Sequence, residues 1–467
     1  MTSQNHKSWS RRDFLKGIAA AAGGAAILPL LDACAPAAPA APAAPAATTA
    51  PVATNPPAAP AASLRLWTFN DPGWIKASDD LIKKFNADNP TITVKHEFFE
   101  YGNLIQTIQT SMAAKNEADI IEMFGTWVQN YAKGNTILPV PEGVMSLADM
   151  QNMFYKAPLD GYVYNGKLYG FPHEFNLENG GVLVNKRMFT EAGLTYPPAW
   201  SSWEELIADA QKLVKMDGST MTIAGFDFLN DDGIAFWLWE GILERGAEYF
   251  ADDKIHLNLL TPQAQDSVQF MVDLCQKYKV VDPNLFNSTI SDAQAVFFQG
   301  LCAIAFRGPW VVPGGRVNYP KFSDPWDYVS IPPLYGSQYN FAADSGWGEV
   351  VSPNSKFPDA AWQFCKYTAT RPDTSRTWNV DSGTVPAMKS VAEDPTLLTD
   401  ENWLGPSLKV LPYGRFIGNL QDRDFVWYNV VRDTVYKVLQ GKMSITDGMA
   451  SMNKDANDKI DSVLKGS

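Results

Sequence analysis

Leu64-Arg65-Leu66-Trp67-Thr68-Phe69, Thr91-Ile92-Thr93-Val94 and Ala118-Asp119-Ile120-Ile121-Glu122-Met123 are three short β-forming runs. The residues between them repeat apolar positions at helical spacing: Leu81, Ile82 and Phe85 within 75–89, then a second helix over 104–114. Strand, helix, strand, helix, strand predicts a parallel α/β sheet. In such a sheet ligands sit beyond the carboxyl ends of the strands. Asn70-Asp71, Glu100-Tyr101 and Thr126-Trp127 follow the three strands in turn, so all three pairs are expected to converge on one sheet edge.

Further along, Tyr164-Asn165-Gly166-Lys167-Leu168 reads as a hairpin, because Asn-Gly supplies the positive φ angles of a tight two-residue turn. Ser202-Trp203-Glu204-Glu205 is a capping box opening a helix over 206–214, a structural rather than a catalytic signature. A buried strand over 301–305 leads into Phe306-Arg307-Gly308-Pro309-Trp310, and helices are expected over 359–369, 425–439 and 444–464.

Working back to the N-terminus, residues 1–34 have a basic stretch, a weakly apolar Ala/Gly core and a small-residue ending, the plan of an export signal. Ser10-Arg11-Arg12-Asp13-Phe14-Leu15-Lys16 resembles the twin-arginine motif, and Leu31-Asp32-Ala33-Cys34 resembles a bacterial lipobox with Cys34 as the lipidated residue. Residues 35–63 are almost wholly Ala, Pro and Thr and read as an extended tether. No later window is apolar for long enough to span a bilayer.

The whole chain of 467 residues carries −13. The leader holds Lys7, Arg11, Arg12 and Lys16 against Asp13 and Asp32, and the tether is uncharged, which leaves −15 on the rest. Such a surface repels phosphate backbones, so nucleic acid is excluded as a partner. With 46% hydrophobic residues the mature part can bury the cores of two domains. Cys275, Cys302 and Cys365 each sit in an apolar run and read as core thiols rather than a disulfide scaffold. No His or Cys lies at metal-ligand spacing, and no cofactor motif is present.

The run 165–172, then Val184-Asn185-Lys186-Arg187-Met188-Phe189, Ala192-Gly193-Leu194, Pro197-Pro198 and 202–206, resembles the extracellular solute-binding proteins of ABC import systems, family 1, the maltose-binding-protein type. Phe298-Gln299-Gly300 to Gly308-Pro309-Trp310, Ser352-Pro353-Asn354-Ser355 and Val438-Leu439-Gln440-Gly441-Lys442 continue the match in family order over 64–467, with Val184 departing from the usual Tyr. The resemblance implies a two-lobed, type II periplasmic-binding-protein-like α/β fold with a cleft between the lobes. Crossings near Glu174, Pro332 and Asp381 would give one lobe of 64–173 plus 334–380 and another of 177–331 plus 384–467. It also implies an extracytoplasmic, lipid-anchored monomer without cofactor or enzymatic activity, which captures a mono- or oligosaccharide, closes about a hinge and delivers it to a membrane permease.

A sugar site needs aromatic platforms and oriented polar groups. Trp127, Trp310, Trp347 and Trp427 are the candidate platforms. Trp237 and Trp239 cannot share one side of a helix, so one of them packs in the core, and Trp237 stands among the ligand candidates. The polar candidates are Asp71, Glu100 and Tyr101, and Thr126 on the first lobe; Glu174, Asn176 and Glu178 near the first crossing; Asp231 or Asp232 from the opposite lobe; and Arg307, set to pair an acid or an anionic ligand. Two alternatives stay open: a secreted carbohydrate-active enzyme, and a binder of a non-sugar solute such as glycerol phosphate.

Overall fold

The computed structural model describes residues 62–229, 232–285 and 294–466. The export signal with Cys34, the tether up to residue 61, and Asp231 lie outside the described residues.

In chain order the strands are β1 (Ala62–Phe69), β2 (Ile92–Phe99), β3 (Ile120–Phe124), β4 (Val163–Tyr164), β5 (Lys167–Leu168), β6 (Phe171–Pro172), β7 (Gly181–Asn185), β8 (Lys215–Asp217), β9 (Thr220–Asp227), β10 (Cys302–Phe306), β11 (Trp326–Ser330), β12 (Phe341–Ala343), β13 (Trp347–Val351) and β14 (Gly414–Phe416). Two five-stranded sheets result, ordered β2-β1-β3-β13-β6 and β11-β7-β10-β9-β8, each with helices packed on it and its own apolar core. They are the two lobes of an α/β fold. A third cluster, containing Phe175, Leu177, Phe341 and Val385, lies where the lobes join.

β1 pairs in parallel with β2 and β3, as the opening alternation predicts. The helix after β1, Pro72–Asp88, starts where it does for two local reasons. The Asp71 carboxylate accepts from Gly73 N at 2.8 Å, and Pro72 supplies a preset φ at the first helical position. Trp74, Ala77, Leu81, Ile82 and Phe85 then form its buried stripe. The sheet is mixed rather than all parallel, because β13 runs antiparallel to both β3 and β6. In the Asn165-Gly166 turn, φ values of 48° and 71° close the β4–β5 hairpin. The capping box is shifted by one residue on its return arm: Ser202 Oγ accepts from Glu205 N, whereas the Glu205 carboxylate accepts from Ser201 N at 2.8 Å.

Three segments cross between the lobes side by side. Glu174 bridges Pro386, Phe175 N donates to Val385 O at 2.8 Å, and Asn176 N donates to Ser345 O at 3.1 Å. The second crossing is at 344–346, not near Pro332. Ile331 and Leu334 still belong to the second lobe's core, and the Glu244 carboxylate holds Tyr335 N at 2.8 Å. The chain then forms β12 against β14 before leaving the lobe. Ser345 turns the corner with φ of 77°, its Oγ donating to Pro158 O at 2.6 Å.

The segment expected as one helix over 425–439 is π-helical over Phe425–Arg432 and α-helical only over Asp433–Leu439. Cys275, Cys302 and Cys365 are buried free thiols. No helix among the described residues is long and apolar enough to cross a membrane.

Candidate ligand-binding cleft

The loops after β1, β2 and β3 meet at one edge of the first sheet. Asn70 Nδ2 donates to Glu100 Oε1 at 2.6 Å, which ties the first loop to the second. Tyr101 and Trp127 lie with ring centroids 5.8 Å apart, and Trp127 lies 5.4 Å from Trp347 at the start of β13. Phe69 stacks on Trp347 at 5.7 Å and 7°. These rings form an aromatic wall whose outer member, Trp127, is only half buried. In front of it a cavity of about 710 Å³ opens between the lobes. Thr126, Trp127, Asn130 and Tyr131 line it from the first lobe, and Gln421 to Asp424 from the second. The Thr126 hydroxyl is buried at this lining without a hydrogen-bond partner.

The facing wall is built on Arg423, which is 6% exposed. Its Nε and Nη2 donate to Asp344 on the second crossing, and Nη2 also reaches Asp232 Oδ1 at 3.0 Å. Nη1 donates to Asp424 Oδ1 at 3.0 Å and to the Tyr428 hydroxyl at 3.1 Å. Burial works against the guanidinium's charge, but Asp344, Tyr428, Asp232 and Asp424 together hold it protonated well beyond its ordinary range. Burial raises the Asp344 carboxyl to about 7 in spite of Arg423. The Tyr101 hydroxyl spans the cleft to Asp424 Oδ2 at 3.4 Å, linking the two walls.

The other residues expected in the site divide into three groups. Asp71 caps its helix, half exposed, with burial raising its pKa against the N–H bonds it accepts, and it does not line the cavity. Glu174, Asn176 and Glu178 line the first crossing. The Glu174 carboxylate is buried, is pushed up to about 7 and accepts from Trp347 N at 3.1 Å. Glu178 is buried as well, its pKa raised by burial and by nearby Asp232, and it clamps the Gly-Pro-Trp turn by accepting from Gly308 N at 2.7 Å and from the Trp310 indole. Trp310 is half buried against the joining cluster, and a Cβ on Gly308 would lie 2.6 Å from Leu177 O, so only glycine admits the turn.

The third group corrects the expectation. Trp237, Trp427 and Arg307 have no exposed surface and belong to the second lobe's interior. Trp237 packs among Trp203, Phe226, Phe228 and Phe306. Arg307 pairs with Asp227 of its own lobe and donates to Phe306 O, deep in that lobe's interior. The face of Trp427 is covered by Arg423, whose guanidinium carbon lies 4.5 Å above the ring. Trp347 is in the wall but 6% exposed, screened by Phe69 and Trp127.

Sequence reasoning missed Arg423, Asp424, Tyr428, Asp344 and Tyr131. One signal was available: Asp422-Arg423-Asp424 places three charges directly ahead of the apolar run Phe425-Val426-Trp427. A different constellation lies outside the cleft. Thr68 Oγ1, His96 and Asp79 form a chain with contacts of 2.7 and 2.8 Å, the spacing of a nucleophile relay. Thr68 is 2% exposed, however, and is shielded between β1 and β2. Among the described residues no group of three His, Cys, Asp or Glu side chains is placed to hold a metal ion.

The bacterial extracellular solute-binding protein family matches residues 80–404. The chain is 22% identical over 390 residues to a putative binding protein of Brucella abortus, covering 83% of this chain and 89% of that protein. It is 21% identical over 340 residues to the maltotriose-binding protein of Pyrococcus abyssi, covering 72% and 68%. Among solved structures, an ABC substrate-binding protein from Listeria monocytogenes in complex with cycloalternan superposes with a TM-score of 0.70 at 20% identity, over 85% of this chain and 98% of that one. At that identity the structural likeness establishes the fold.

Proposed function

Because the chain belongs to the bacterial extracellular solute-binding proteins, we propose that it captures a carbohydrate in the interlobe cleft and hands it to the membrane permease of an ABC importer. The observation that carries this reading is the cavity itself, with Trp127 and Tyr131 on the first lobe facing the Asp424 carboxylate, fixed by Arg423, on the second. Rings offer flat faces to sugar C–H groups, while carboxylates and hydroxyls take directed bonds from sugar hydroxyls. Two relatives support the choice of ligand, one named for maltotriose and one holding cycloalternan.

In this reading the ligand contacts come from Trp127, Thr126 and Tyr101 on one lobe and from Asp232 and Asp424 on the other. Glu174 and Asn176 belong to the crossing on which closure turns, and Glu178 with Trp310 stiffens the turn beside it. The protein acts as a monomer and catalyses no reaction. The twin-arginine signal directs export, and a lipid on Cys34 tethers the lobes through the Ala/Pro segment.

Calorimetric titration with maltotriose, mannotriose and cycloalternan tests the reading. Saturable binding without new products is the expected result, and turnover of the saccharide would make the protein an enzyme instead. A Cys34→Ala variant should leave the membrane fraction.

A further inference from the structure

The cavity follows one helix of the first lobe from end to end. That helix, Gly125–Lys133, opens at the second crossing, where Gly125 N donates to Gly346 O at 2.9 Å, and leads away from it. Its first turn gives Thr126 and Trp127 to the lining and its second gives Asn130 and Tyr131, while Gly134 and Thr136 carry the lining past its end. At 1.5 Å per residue, Thr126 to Gly134 makes a groove of about 12 Å. Trp127 and Tyr131 stand four residues apart, so they share one face of the helix, one turn beyond the other. Their spacing along the axis is about 6 Å, close to the length that one pyranose adds to a linear saccharide. Both rings are half buried. Polar groups accompany them. The Thr126 hydroxyl, 5% exposed, is unpartnered at the inner end, the Asn130 amide lines the groove between the rings, and burial alone pushes the Tyr131 phenol up to about 12. The cavity of about 710 Å³ is several times the volume of a single hexose.

We propose that the cleft selects linear oligosaccharides over monosaccharides, with Trp127 the platform for the inner sugar and Tyr131 a second platform for the next sugar out. A monosaccharide held beside Thr126 and Trp127 leaves the Tyr131 ring in water. A second ring in register covers that apolar face and adds a stacking contact, so affinity is gained with chain length. Tyr131 is then a residue that determines specificity for length, and its contribution is separable from that of the inner subsite. The proposal rests on the carbohydrate reading above.

The test is calorimetric titration with two chain-length series, glucose, maltose and maltotriose, and mannose, mannobiose and mannotriose. Wild type, Tyr131→Ala and Tyr131→Leu are compared, with the melting temperature of each recorded in parallel. In the series that binds, the wild type should hold the trisaccharide about tenfold tighter than the monosaccharide or more. Tyr131→Ala should narrow that ratio about fivefold by weakening the longer ligands and leaving the monosaccharide as it was. Tyr131→Leu keeps apolar bulk in the helix face but has no flat ring, so it should narrow the ratio likewise even if the alanine variant fails to fold. Equal affinity of the wild type for monosaccharide and trisaccharide overturns the proposal while the carbohydrate reading stands. Variants that weaken every length by the same factor also overturn it, since a purely structural role moves affinity but not the ratio. If no saccharide of either series binds, the carbohydrate reading itself fails, and the length rule falls with it.

Discussion

Arg307 and Arg423 are both buried guanidiniums, and their partners make opposite use of them. Arg307 closes a pair inside one lobe, so Arg307→Ala leaves the Asp227 carboxyl in the core without its ion-pair partner. The expected loss is about 3–5 kcal/mol in urea unfolding, with ligand affinity unchanged in the folded fraction. Trp127→Ala should do the reverse, weakening saccharide binding several-fold in calorimetry while the melting temperature of the free protein moves little, because the ring is half exposed at the cavity. Trp237→Ala, by contrast, empties a space between five aromatic rings and should cost about 3–5 kcal/mol of stability. Tyr101, Thr126 and Trp127 were legible in the sequence because their place depends only on following a strand. Trp237, Trp427 and Arg307 were not, since burial is decided by residues far along the chain. Asp227 reaches Arg307 from another strand, and Arg423 rather than a ligand covers Trp427.

At the scale of elements the same division holds between local and distant causes. The Asn165-Gly166 hairpin, the Asp71 cap and the first three parallel strands follow from neighbours in sequence, and each was readable. Gly166 makes the clearest test: its φ is 71° and a Cβ there would touch nothing within 4 Å. Gly166→Ala should therefore cost about 1–2 kcal/mol from the left-handed backbone alone, measured by denaturant unfolding. The second crossing and the π-helical stretch Phe425–Arg432 were misread because their causes are remote. Glu244 holds the chain beyond Pro332 to the second lobe, and β14 claims β12. The widened helix follows directly on Arg423 and Asp424, in keeping with the frequent occurrence of such turns beside functional sites.

For the whole molecule, the buried carboxyls set the response to pH. Glu174 and Asp344 are raised to about 7, and Glu122, Glu178, Glu240 and Glu244 are raised as well, all mainly by burial. The folded state keeps these protons when the unfolded chain has lost them, so their contribution is full below about 4.5 and is lost as pH rises through about 7. Glu97 behaves oppositely: burial opposes its charge, but bonds from Arg65, Lys95 and Trp67 lower it to about 2, and that stability disappears as pH falls from about 4.5 towards 2. The melting temperature should peak near about pH 5 and fall by about 3 °C or more towards pH 8 in calorimetric scans, with Glu174→Gln flattening the alkaline limb. The mixed first sheet also has a consequence for synthesis. β6 is complete at Pro172, but the strand that must seat between it and β3 begins at Trp347, after most of the second lobe has been made. At ribosomal speeds of about 5–20 residues per second, the edges of β3 and β6 wait on the order of ten seconds to half a minute for their partner. During that interval the nascent chain exposes two unpaired strand edges to any neighbour in the cytoplasm, so chaperone cover during translation, more than the stability of the finished protein, should govern its yield.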